Sequence, residues 1–118
     1  MLTLGLMVNI NAKSKIGRIE FKKTSFDFGT FDQRTVRSCV FVFENTGNAP
    51  VVINQAIGSC NCTSASYKKQ PIMPGQKGYI KIIYNGKNYS KGYFKKHVDV
   101  NSNADNGLVR LFISGSTK

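Results

Sequence analysis

The 118-residue chain has no tryptophan, one histidine, three prolines, three cysteines and six acidic residues. Each shortage narrows the chemistry. Six acids, with no pairing suited to proton transfer, argue against acid–base catalysis. His97 and Asp99 share a strand face, but no nucleophile sits in a recognisable elbow, so the two read as part of a solvated surface. Structural zinc asks for four ligands, and one histidine makes zinc a poor fit. No glycine-rich phosphate loop or dinucleotide fingerprint is present. No apolar run is long enough to span a bilayer. No internal repeat, low-complexity tract or 3.6-residue periodicity occurs. A non-enzymatic chain is the expectation.

What is abundant is positive charge and strand-forming residues. Seventeen Lys/Arg give a formal charge of +11. That balance favours acidic partners such as nucleic acid, anionic lipid, lipopolysaccharide or acidic glycans. The basic residues are scattered in ones and twos, never in a block of five, which favours simple solvation of exposed strand faces. Residues 1–12 are apolar and precede Lys13. They resemble the back half of a secretion signal, with Ile10-Asn11-Ala12 as its small-residue cleavage site. A mature exported domain, in the periplasm or at the cell surface, would begin near Lys13. The alternative is an N-terminal strand or tail on a cytoplasmic protein.

From residue 16 to residue 118, apolar runs alternate with turn signals every 8 to 12 residues or so, which is the mark of a sandwich or barrel. Strands are expected at 16–23, 25–28, 35–44, 51–59, 77–84, 91–100 and 108–114, with a loop at 60–69. Cys39, Phe41 and Phe43 share one face of the third strand. Val36, Val40 and Val42 occupy the other, so both faces are apolar and the strand should be central. Ile80, Ile82 and Tyr84, then Phe94, Val98 and Val100, then Val109, Leu111 and Ile113 should point inward. Lys96 falls awkwardly among them. Asn45-Thr46-Gly47-Asn48 reads as a turn tolerant of positive φ, and Asn85-Gly86-Lys87-Asn88 as a hairpin. The fold class is all-β: an immunoglobulin-like antiparallel β-sandwich of seven or eight strands, one domain over residues 16–118.

Five landmarks occur in order. They are Phe26-Asp27-Phe28-Gly29-Thr30, Phe41 through Pro50, Gly58-Ser59-Cys60-Asn61-Cys62-Thr63, Pro74-Gly75-Gln76-Lys77-Gly78, and Asn101-Ser102-Asn103-Ala104-Asp105. Together they resemble the bacterial family called domain of unknown function 1573, itself similar to the immunoglobulin-like major-sperm-protein and ASH domains. The resemblance implies an exported protein with no established enzymatic activity. The family's usual motif is Cys-Gly-Cys-Thr, and Asn61 stands here in place of the glycine.

Two features offer sites. Cys60 and Cys62, two residues apart, would lie on one side of an extended chain, as a thiol-redox pair or as two soft ligands for Cu(I). A disulfide between them needs a local turn, because extended i and i+2 Cα atoms are ~6.5–7 Å apart, at the edge of the disulfide range. Cys39 should be the third, unpaired cysteine, buried as a small hydrophobe. The second feature is a basic-aromatic face. Were their strands neighbours, Tyr79, Lys81, Ile83, Tyr93, Lys95, Arg110 and Phe112 would share one surface. Such a surface suits a protein or envelope component, an acidic glycan or lipopolysaccharide. Nucleic acid would require a cytoplasmic location. The functional expectation is an exported binding or structural accessory domain of the bacterial cell envelope, using this face or strand addition at a sheet edge. The alternatives are Cys60-Asn61-Cys62 chemistry, and nucleic-acid or glycan binding through the face.

Overall fold

A computed structural model describes residues 15–118. The expected signal remnant at 1–12 lies outside them. Every regular element among the described residues is a strand: β1 (Ile19–Phe21), β2 (Ser25–Phe31), β3 (Arg37–Asn45), β4 (Ile53–Gly58), β5 (Thr63–Tyr67), β6 (Lys77–Tyr84), β7 (Gly92–Ser102) and β8 (Leu108–Thr117). Two four-stranded sheets face each other. Sheet A runs β1-β3-β6-β5 and sheet B runs β2-β8-β7-β4. The all-β sandwich therefore holds, with eight strands.

Alternation fixes the core. Cys39, Phe41 and Phe43 from β3, Ile80 and Ile82 from β6, Val98 and Val100 from β7, and Leu111 and Ile113 from β8 are all buried. Each buried aliphatic or aromatic side chain contributes roughly 1.5–3 kcal/mol, which offsets the entropy of ordering the strands. Tyr84 and Phe94 stack across the sheets with ring centroids 4.0 Å apart, and Phe31 lies edge-on to both. Cys39 is the free cysteine and is buried. Burial pushes its thiol up to about 11. Lys96 is only half-buried, consistent with its awkward place in the alternation.

Some expectations need correction. The segment at 60–69 is not all loop: its residues 63–67 form β5, paired to β6 from Thr63↔Tyr84 to Tyr67↔Ile80. Pairing is mainly antiparallel, as expected, with one parallel pair, β2 with β8. Short connections force antiparallel pairing only on strands adjacent in sequence, and most of the chain separates these two. The seven-residue face does not exist as one surface. β6 belongs to sheet A, whereas β7 and β8 belong to sheet B. Tyr79, Lys81 and Ile83 are thus on a different sheet from Tyr93, Lys95, Arg110 and Phe112. The segment after β6 is not a hairpin but a crossing between sheets. The Gln33 side-chain amide anchors it by donating to the carbonyls of Gly86 and Tyr89.

The turn after β3 is held from inside. Asn45 is fully buried. Its Oδ1 accepts from the backbone N–H of Gly47 (3.0 Å) and of Arg18 (3.3 Å). Its Nδ2 donates to the carbonyls of Ala49 (2.8 Å) and Ile72 (2.9 Å). Gly47 is not among the glycines of positive φ. A Cβ there would collide with the Ile16 carbonyl, so space, not φ, requires glycine.

Candidate functional site

The cysteine loop forms where β4 ends beside the start of β5. A Cβ on Gly58 would strike the Thr63 carbonyl, so glycine lets these two strands of opposite sheets touch. The chain then turns: Thr63 N–H donates to the Cys60 carbonyl (3.1 Å). The turn draws the Cys60 and Cys62 Cα atoms to 5.2 Å, and the two are joined in a disulfide. Extended geometry would have kept them apart. Cys62 and Thr63 are buried, and Cys60 is half-buried. The Thr63 hydroxyl lies 3.4 Å from Cys62 Sγ and 3.8 Å from Cys60 Sγ. As a disulfide, neither sulfur is a thiolate, the form that ligates Cu(I). Among the described residues no third His, Cys, Asp or Glu joins them as a metal cluster.

On the outer face of sheet B the polar groups are engaged with one another. Asp99 and Arg110 are register partners on β7 and β8. Arg110 Nε and Nη2 donate to the two carboxylate oxygens at 2.7 and 3.0 Å. This bidentate bond holds the Asp99 carboxyl below its usual range and raises Arg110. Asp99 is therefore committed to Arg110 and does not orient His97. The His97 ring meets Phe112 edge-on, and Lys95 Nζ lies 5.0 Å from the Phe112 ring centre. Of the four expected residues here, Tyr93 stands clear, 72% exposed.

Sheet A carries a different surface. In β3 the even-numbered residues point outward, yet two of them are valines. Val40 is 53% exposed and Val42 40%. Val42 is the register partner of Tyr79, and Val40 of Lys81. Ile83, half-buried, continues the row beside Ser38. The result is an apolar strip with Lys77 and Lys81 on the same face of β6. At its margin, Phe26 on β2 is 44% exposed and helps line an apolar cleft with Phe41 and Val42. Tyr79, Lys81 and Ile83 were expected in a binding face, whereas Phe26, Val40 and Val42 were not. The available signal was the apolar pattern on both faces of β3. It points to a central strand, which β3 is by pairing, but also to an uncovered surface.

The fold and these surfaces can be set beside known proteins. The model of a family described as protein of unknown function, DUF1573, matches residues 19–117. A protein of unknown function from Porphyromonas gingivalis superposes with a TM-score of 0.75 at 16% identity, covering 92% of this chain and 51% of that one. The chain thus spans about half the length of that protein. The ASH / PapD-like domain 7 of human CEP192 superposes with a TM-score of 0.68 at 14% identity, covering 91% and 89% of the two chains. The YadV chaperone gives 0.61 at 16% identity, covering 85% and 52%. At such identities the likeness carries the fold alone, an immunoglobulin-like sandwich of ASH/PapD type. No curated protein sequence matches the chain.

Proposed function

Since the chain belongs to the DUF1573 family, whose description assigns no activity, we propose from its own surface that it is a non-catalytic, exported module of the bacterial envelope. It binds another protein or an envelope component through the outer face of sheet A. The observation that carries this reading is the strip of Val40, Val42 and Tyr79, contiguous by register, exposed, and accompanied by lysines. A strand face that meets only water is normally polar, and apolar strips with polar rims are a common form of protein-binding surface. Export is supported by the signal-like composition of residues 1–12 and by the Cys60–Cys62 disulfide, a bond typical of oxidising compartments. That one structural relative is a chaperone supports protein binding by analogy of fold only. The basic-aromatic face of sheet B is the weaker surface, because Arg110, Lys95 and Phe112 already satisfy neighbours.

The test is capture from envelope extracts of the native host with the tagged domain. A variant carrying Val42→Glu and Tyr79→Ala is expected to retain about a tenth or less of the captured partner. A variant with Tyr93→Ala and Lys95→Ala should match the wild type. The opposite pattern would overturn the reading.

A further inference from the structure

The margin of this face points to a way of binding. We propose that the open side of β3, from Arg37 to Phe41, accepts an extended, acid-flanked segment of a partner protein as an added strand of sheet A, an inference that rests on the protein-binding reading.

The backbone supplies the argument. Asn45 N–H donates to the Gln76 carbonyl at 2.9 Å, so odd-numbered residues of β3 bond to β6. Even-numbered residues face the other way: Lys22 N–H donates to the Val42 carbonyl at 3.1 Å. On that side β1 covers only Phe43 to Asn45. The chain then leaves for sheet B, where Phe112 N–H donates to the Thr24 carbonyl. Ser38 and Val40 therefore present N–H and C=O groups to which no described residue is paired. Exposed strand edges of this kind template pairing with another chain. The register of β3 with β6 is unbroken from Arg37 to Glu44, so no bulge twists the edge away, and no proline interrupts it.

The chemistry of the occupant follows from the walls. Beside the edge, between the sheets, lies a cleft of about 120 Å³ lined by Phe26, Val40, Phe41 and Val42, with the exposed Lys22 and Lys23. It has room for one aliphatic side chain of an added strand. Lys22 and Lys23, Lys81 opposite Val40, and Arg37 at the strand's start make the approach basic. Acidic residues on the incoming segment complement that charge. A second copy of this chain would bring the same cations against themselves, which disfavours edge-to-edge dimers.

The probe is a synthetic peptide of about ten residues, long enough to span the open stretch, alternating valine with threonine and flanked by Asp-Glu at both ends. Its controls are a Lys-flanked version and two versions N-methylated on alternate amides in opposite phase. Binding is read by fluorescence anisotropy, and hydrogen exchange at the Ser38 and Val40 amides by NMR. The acid-flanked peptide should bind at least about tenfold tighter than the Lys-flanked one and slow both amides by a similar factor. One methylation phase should abolish binding and the other preserve it. Val40→Pro removes an N–H to which no described residue is bonded, so the ladder to β6 is kept and the peptide should bind about tenfold more weakly. The methylated peptides give the same test should that variant fail to fold.

Absence of binding, equal binding in both methylation phases, or protection confined to other amides would overturn strand addition. Loss of binding in Val42→Glu but not Val40→Pro would move the partner onto the flat face, leaving the protein-binding reading in place. Protection of Val40 in the free protein that vanishes on dilution would assign the edge to a second copy instead.

Discussion

Asn45 shows how a single polar residue can organise a hydrophobic end of the sandwich. Its amide makes four hydrogen bonds to backbone groups of three segments while wholly buried. Alanine would leave those groups unpaired where water does not reach, and each such group costs about 1–3 kcal/mol. Asn45→Ala should therefore destabilise the domain by roughly 3 kcal/mol. Urea denaturation should show a lower midpoint with an unchanged slope; an unchanged midpoint would contradict this role. The sequence located the turn, since Asn and Gly mark it, but misjudged its cause. Close approach between the Ile16 carbonyl and Gly47 is a tertiary fact, invisible to a local reading. Burial of Cys39 was legible, because position 39 alternates with Phe41 and Phe43.

Among the elements, the β7–β8 ladder carries the ion pair with the firmest geometry. Asp99's carboxyl is held low in the folded chain by Arg110. As the pH falls, the unfolded state takes up the proton first. The stabilising contribution is thus complete above about pH 4 and is lost as the pH drops below it toward the folded-state value. With the pair open to solvent, its contribution is small. Asp99→Asn should lower the urea midpoint slightly at neutral pH, and the midpoints of the two proteins should converge below about pH 4; a constant gap across pH would contradict the pairing. Strand positions were largely legible from the period-2 alternation. β5 was not, because Thr63-Ser64-Ala65-Ser66-Tyr67 has little apolar alternation, and its order comes from pairing with β6. β2 was read too short for a similar reason: its pairing with β8, from Ser25↔Phe112 to Phe31↔Thr117, is a long-range contact.

At the scale of the whole molecule, alternation says which residues face inward but not which strands are neighbours. That is why a single basic-aromatic face was expected where the fold puts Tyr79, Lys81 and Ile83 on one sheet and Tyr93, Lys95, Arg110 and Phe112 on the other. Once the sheets are assigned, Arg110, Lys95 and Phe112 on sheet B are engaged with neighbours, while Tyr93 stays exposed. Sheet A keeps exposed valines beside an incompletely covered strand. Val42 on β3, 40% exposed, lies at the centre of the proposed binding strip. The claim that sheet A is the binding surface is tested most directly by photocrosslinking in the native host. A photoactivatable side chain is placed at Val42 and, in a separate variant, at Tyr93, which is the more exposed of the two. The expected result is a discrete adduct from position 42 and none above background from position 93. An adduct from position 93 alone would contradict the assignment.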